Sequence, residues 1–173
     1  QALGSAYTVQ TGEGGTYEHV DMAVTNGGPF DPKAYGGDAA KAKAVRLAFL
    51  TSIPRQKIID NLIKPLNPQA TIRNSYTTVP SAPTYAAITA ANGMQATFGN
   101  GDAAKAKDIL AKAGVTTAPT VRLLYASTNT RRQQQFQLIK EAAEQAGFKV
   151  EDKSAEKWGS ILPDTSKYDA ALF

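Results

Sequence analysis

Apolar residues are spaced most regularly in the last third of the chain. In "TVRLLYA" (120–126), Val121, Leu123 and Tyr125 recur at every second position, which predicts a strand with one buried face. "NTRRQQQFQLIKEAAEQAG" (129–147) sets Phe136, Ile139, Ala143 and Ala146 on one stripe and closes on Gly147, the pattern of an amphipathic helix. "FKVED" (148–152) predicts a short strand, "SAEKWGSILPDTS" (154–166) a helical turn or two, and "YDAALF" (168–173) a buried strand. Strand, helix and strand at this spacing form a βαβ unit. Its strands 120–126 and 148–152 should be parallel neighbours with a right-handed crossover, and Phe136 and Ile139 should face the sheet.

Upstream, "GTYEHVDMAV" (15–24) alternates as a strand, and "TNGGPFDPKAYGG" (25–37) is dense in turn formers. The heptapeptide "GDAAKAK" occurs twice, at Gly37–Lys43 and Gly101–Lys107. In each copy Asp is a good N-cap, and Ala and Lys are strong helix formers. The two copies then diverge in apolar pattern, so they are one capping device used twice and not a structural repeat. Helices are predicted over Asp38–Thr51 and Asp102–Ala113. The first is apolar on most sides and hence well buried; the second carries Ala106, Ile109, Leu110 and Ala113 as a stripe and stops at Gly114. "SIPRQKIIDNLIK" restarts a helix with Pro54 in its first turn, "NPQATIRNSYTTVPSAP" (67–83) is an extended loop, and "TYAAITAANG" (84–93) is a short helix.

A length of 173 residues suits one domain with a real core, and 42% hydrophobic with 20% charged residues is ordinary for a globular chain. No apolar run approaches the ~18–20 residues of a membrane span. The opening "QALGSAYTVQTGEGG" is polar and Gly-rich and has no apolar h-region of a signal peptide. Residues 1–16 read as a lead-in, and processing or a chain boundary is expected to account for the start at Gln1.

The candidate chemistry is sparse. There is no Cys, which excludes disulfides and thiolate catalysis, and His19 is the one histidine, which excludes zinc sites built on His and Cys clusters. No metal or organic cofactor is expected. A Ser/His/Asp triad would have to use His19, but His19 lies in an alternating strand and no Ser sits in a G-x-S-x-G elbow. "TGEGGTY" lacks both the third Gly of a dinucleotide loop and the Lys-Ser/Thr of a P-loop. The net charge of +4 and pI near 9.2 raise nucleic acid as a partner, yet the basic residues are spread along helices and mixed with acids, as on solvated helix faces. On motif evidence the chain is not an enzyme. A small α/β hydrolase or transferase fragment, suggested by the βαβ unit, and a basic nucleic-acid-binding domain, suggested by the pI, stand as alternative readings.

Taken in order, "YEHVDMAVTNGGPF", "AVRLAFLTSIPRQKIIDNLI", "GDAAKAKDILAKAG", "VRLLYAS", "LIKEAAEQAGFKVE", "EKW" and "YDAALF" form a series. From Tyr17 to Phe173 this series resembles the family 5 extracellular solute-binding proteins of ABC importers, the oligopeptide- and dipeptide-binding class. One local departure is Pro54-Arg55, where the family usually has Asp-Arg. The resemblance implies an α/β fold: one lobe of a two-lobed periplasmic-binding-protein type II architecture, with a mixed sheet flanked by helices. Residues 17–173 would be the second lobe, without the first lobe and ending before the loop that holds a ligand's amino terminus. It implies a peptide or similar small solute and an ABC permease as partners, no nucleic acid, and an extracytoplasmic setting with membrane contact only through a lipid anchor of the parent protein. It also implies ligand contacts at Trp158 and at Ser127, Asn129 and Arg131 in the loop after "LLYA", a loop at the carboxyl end of a strand. Leu172 falls where some relatives carry a ligand-facing Arg; a Leu there cannot pair with a carboxylate.

Overall fold

The computed structural model describes residues 7, 8, 10 and 12–173. Of the lead-in expected over 1–16, residues 1–6, 9 and 11 lie outside the described residues. A four-stranded sheet runs in the order β1-β4-β2-β3, from β1 (Val20–Met22), β2 (Thr120–Leu124), β3 (Lys149–Asp152) and β4 (Ala170–Leu172). The three strands β4, β2 and β3 are parallel, and β1 is antiparallel on the β4 edge, so the sheet is mixed as expected. The predicted βαβ unit is present: β2 and β3 pair in parallel, joined by α6 (Thr130–Gln145). Phe136 and Ile139 are buried in the core beneath the sheet, and the Phe136 ring stacks on Tyr125 at 5.1 Å.

Both heptapeptide copies start helices by the predicted device. Asp38 accepts from the Lys41 N–H at 2.9 Å ahead of α1 (Ala39–Ser52). A second carboxylate, Asp102, accepts from the Lys105 N–H at 2.8 Å ahead of the later helix Ala103–Lys112. The chain restarts after Pro54 as α2 (Arg55–Ile58), which loosens into a π-turn over Ile59–Ile63. A long irregular stretch leads to α3 (Tyr85–Asn92) and α4 (Met94–Phe98), which pivot on Gly93 in the left-handed region at φ 66°. The helix Ala103–Lys112 is therefore α5. It packs on α1: the Asp102 N–H donates to the Thr51 carbonyl at 2.8 Å, and a Cβ at Gly101 would come within 2.5 Å of Pro54 Cα. The two copies thus open two helices that lie against each other.

One expectation changes, and one short helix is added to those expected. The strand expected over 15–24 shrinks to Val20–Met22, because the chain before it is drawn off the sheet. There the carbonyls of Gly14, Gly15 and Thr16 accept from the Arg73 guanidinium. The helix expected over 84–93 is present as Tyr85–Asn92 ending at Gly93, and it is followed by α4, whose five residues are too few to show a helical period in the sequence.

The sheet has a core on each face. Val121, Leu123 and Tyr125 of the β2 segment face α1, α5 and α6 together with Phe30, Val45, Phe49, Phe148 and Leu172. Leu124 and Ala171 point the other way, beneath Tyr168, Trp158, Ile161, Leu162 and Phe173. Alternation along a strand sends neighbouring residues to opposite faces, and here both faces are covered.

Asp169, 1% exposed, knots the sheet at the start of β4. Its Oδ2 accepts from the Arg122 backbone N–H and from Arg122 Nε, both at 2.9 Å, and its Oδ1 accepts from Arg122 Nη2 at 2.8 Å and Asn26 Nδ2 at 3.0 Å. Gly28 is required beside it, since a Cβ there would lie 2.2 Å from Asp169 Oδ1. Asp169→Ala is expected to destabilise the fold by about 3 kcal/mol, because it strands Arg122 and Asn26; urea denaturation of both chains measures this.

Tyr125 offers a pH test. Its phenol is pushed up from 10.0 to about 12, first by burial and then by the hydrogen bond it donates to Asp152 Oδ2 at 2.8 Å. The folded chain keeps a proton that the unfolded chain begins to release near pH 10. This contribution to stability is therefore complete below pH 10 and lost as pH rises toward 12. Unfolding free energies measured across that window should fall less steeply for Tyr125→Phe than for the parent chain.

Candidate functional site

The carboxyl ends of β4, β2 and β3 lie at one edge of the sheet, and β1 enters at the same edge because it runs the other way. Four segments therefore meet there: 17–19 before β1, 125–132 after β2, 153–158 after β3, and Phe173 after β4. Chain leaving β2 passes to β3 on one side through α6, and chain leaving β3 returns past β2 to β4 on its other side. Open α/β sheets bind ligands at such a reversal.

Local sequence positions each side chain. Asn129 has an extended backbone and caps α6, its Oδ1 accepting from the Arg132 N–H at 3.1 Å. Arg131 and Arg132 follow in the first turn, where the positive end of the helix dipole disfavours cations. Glu18 offsets this. Its Oε1 accepts from Arg131 Nη2, and its Oε2 lies 3.5 Å from Arg132 Nε. Ser127 is half-buried: its N–H donates to the Ala155 carbonyl at 3.1 Å, and its carbonyl accepts from Gln133 Nε2 at 2.5 Å.

Trp158 begins a short 3-10 turn, Trp158–Ser160. The Arg132 guanidinium lies 5.0 Å over its ring, and Phe173 meets it edge-on with centroids 4.9 Å apart. Phe173 in turn stacks flat on His19 at 4.9 Å, and His19 is tilted 5.0 Å from Tyr17. Backbone bonds lock this pairing, with the Phe173 N–H donating to the His19 carbonyl at 3.0 Å. The result is a continuous aromatic wall from Tyr17 to Trp158, bounded by Arg131, Arg132 and Glu18. Such a wall offers flat apolar area, cation–π capacity and charged hydrogen-bonding groups to a small solute.

Of the residues expected at the site, the structure brings Trp158, Ser127, Asn129 and Arg131 to this edge. Leu172 is a correction. It is 3% exposed and packs in the helix-side core, paired in register with Val20. Strand alternation turns the residue after Ala171 inward, so the wall at this strand end is formed by Phe173 instead. The sequence does not single out Glu18, Arg132 or Phe173 as site residues. Arg132 adjoins Arg131, but nothing local links either arginine to Glu18. His19 is part of the wall, 3.5 Å from Asp21 Oδ2. Among the described residues, no three His, Asp or Glu side chains converge as a metal-ligand set.

The opposite edge holds a hollow of about 370 Å³ lined by Asn26, Pro29, Thr120, Arg122, Ser166 and Asp169. Its charged and amide groups bond to one another: Arg122 donates to Asp169 and the Ser166 carbonyl, and Asn26 to Asp169 and the Tyr168 carbonyl. That edge is tied shut, whereas the carboxyl edge keeps polar and aromatic groups at its surface.

A family model described as bacterial extracellular solute-binding proteins, family 5 Middle, matches residues 2–173. No curated protein matches the chain. Among solved structures, the periplasmic EDTA-binding protein EppA is similar with a TM-score of 0.65 at 20% identity, over 90% of this chain and 30% of that one. A NikA from Staphylococcus aureus, solved with a nickel–L-histidine complex, aligns with a TM-score of 0.59 at 19% identity, over 90% of this chain and 31% of that one. An oligopeptide-binding protein from Thermus thermophilus, complexed with a pentapeptide, aligns with a TM-score of 0.56 at 17% identity, over 92% and 28%. The chain therefore shares its fold with these proteins and spans less than a third of their length.

Asn129 is held as a helix cap, and this has a measurable consequence. Asn129→Ala should cost about 1 kcal/mol of stability, while Asn129→Asp, which keeps the accepting oxygen, should cost little. Thermal or urea unfolding of the two variants distinguishes them.

Proposed function

Because the chain belongs to the bacterial extracellular solute-binding proteins of family 5, we propose that it is part of the solute-capturing component of an ABC importer. It acts outside the cytoplasm, holds a peptide-type solute against the carboxyl edge of its sheet, and delivers it to a permease. On this reading residues 17–173 make up one lobe, the other wall of the cleft comes from a second lobe, and a lipid anchor tethers the parent protein. The observation that carries the proposal is the wall of Tyr17, His19, Phe173 and Trp158, flanked by Arg131 and Glu18 at a strand-end reversal.

The chemistry fits an extended peptide. Aromatic faces accept side chains of many shapes, and the arginines and Glu18 offer charge-assisted partners to carboxylate, amide and amine groups. Ser127, Asn129, Arg131 and Trp158 are the proposed contacts. Of these, Asn129 retains its amide N–H groups for a solute, because the cap uses only its oxygen.

Affinity follows from geometry. A cleft ligand is mostly buried only between two walls, and a single wall orders the ligand while leaving much of it wet. If a two-walled receptor bound near 1 μM, about −8 kcal/mol, half of that contact would leave roughly millimolar affinity. Trp158 is the sole tryptophan, so its fluorescence reports on this wall alone. Titrating mixed peptides into the 173-residue chain should give a saturable Trp158 response at roughly millimolar concentration. Tight, low-micromolar saturation would overturn the one-wall reading. A response to metal–chelate or sugar mixtures with none to peptides would overturn the peptide assignment.

A further inference from the structure

We propose that Arg132, anchored by Glu18, is a positioning residue that clamps the Trp158 indole against Phe173 before any solute arrives. The inference rests on the reading of this edge as a solute wall and states what sets the geometry of that wall.

The local backbone holds Trp158 weakly. It opens a three-residue 3-10 turn, Trp158–Ser160, whose cap position, Lys157, makes no side-chain bond. The turn is closed by the Ser160 N–H to the Lys157 carbonyl and the Ile161 N–H to the Trp158 carbonyl, each at 3.0 Å, and the Ser160 hydroxyl adds a bond to the same Lys157 carbonyl at 2.7 Å. None of these bonds touches the indole. Among the described residues its ring N–H has no protein partner either. What orients the ring is tertiary: the Arg132 guanidinium 5.0 Å above its face, the Phe173 edge at 4.9 Å, and the small apolar cluster of Leu124, Tyr168 and Ala171 on which Trp158 rests.

Arg132 is itself fixed at both ends. Its backbone N–H is held by the Asn129 cap, and its Nε lies 3.5 Å from Glu18 Oε2. Its side chain is 17% exposed, well below the 40% of Arg131, although the two are adjacent on the same first turn. The pair therefore divides its work: Arg131 hydrogen-bonds Glu18 Oε1 through Nη2, and Arg132 lies over the ring. Glu18 Oε2 and Arg132 Nε are both buried without a hydrogen-bond partner at full geometry. The guanidinium thus settles where the ring attracts it and forgoes an ideal bond to the carboxylate. A planar guanidinium stacks on an indole better than an ammonium does, which suits Arg to this place. The consequence for recognition is that one indole face is already covered, and the ring N–H and remaining surface are presented in a preset orientation. Preorganisation of this kind reduces the ordering cost that a solute must overcome.

The test uses the solute-free chain and its single tryptophan. Acrylamide quenching and fluorescence anisotropy of Trp158 would be compared for the parent, Arg132→Gln, Arg132→Lys and Glu18→Gln. A cation–π contact at a partly exposed site shifts the docked-to-free ratio of a ring by about twofold to fivefold. Quenching should therefore rise and anisotropy should fall in Arg132→Gln. Arg132→Lys should restore part of the signal because a cation remains over the ring, and Glu18→Gln should move it in the same direction as Arg132→Gln by less. Circular dichroism checks that the fold is retained; should Arg132→Gln fail to fold, Glu18→Gln, which lies outside any helix or strand, decides the outcome. Unchanged quenching in both Arg132→Gln and Glu18→Gln, or Arg132→Lys no different from Arg132→Gln, would overturn the clamp. Because no solute is present, this result is independent of whether peptides bind, and the two readings fail separately.

Discussion

The buried carboxylate of Asp169 is the constraint on which the rest of this structure depends. Its backbone bonds both neighbours of β4: its N–H donates to the Arg122 carbonyl at 2.9 Å, and its carbonyl accepts from the Ala23 N–H at 2.8 Å. Its side chain grips the same two segments through Arg122 and Asn26. A buried charge is stable only when fully bonded, and here that need is met by Arg122 of β2 and by Asn26 in the loop that follows β1. Sliding β4 by one residue would break these bonds and turn Ala170 and Leu172 out of the helix-side core. The register of the sheet and the satisfaction of this charge are therefore one requirement.

That register decides what stands at the far edge. With Met22 opposite Ala170 and Val20 opposite Leu172, the next pair is His19 and Phe173, whose rings stack 4.9 Å apart. The parallel pairing of β2 with β4 brings the first turn of α6 to the same place, so Glu18 reaches Arg131 and Arg132. A knot at one end of the sheet thus sets the aromatic and charged wall at the other. The two ends also differ in kind. At the Asp169 end Arg122 and Asp169 are paired with each other, while the wall keeps aromatic and charged groups at the surface.

The elements themselves are largely legible in the sequence. Phe136, Ile139, Ala143 and Ala146 share one stripe, and all four are buried. The Asp-Ala-Ala caps act as predicted, and Gly93, Gly114 and Gly147 each adopt positive φ where a helix ends. Sequence reading fails where long-range contacts override local preference. Residues before Val20 alternate like a strand, yet their carbonyls are taken by Arg73 from the long loop. Its place in a motif puts Leu172 on the ligand side, whereas the alternation of β4 turns it into the core.

The sequence alone determined the helix starts and stops and the βαβ unit, because periodicity and capping act over a few residues; Trp158, Ser127, Asn129 and Arg131 became residues of interest through the resemblance of their motifs to family 5. Only the tertiary structure decided which partners those residues have. Glu18 and Arg131 are 113 positions apart, and Asn26 and Asp169 are 143 apart. No local pattern encodes such pairs. They arise when a four-stranded sheet of fixed order places the ends of distant segments side by side, and that order follows from burying two apolar faces and one carboxylate at once.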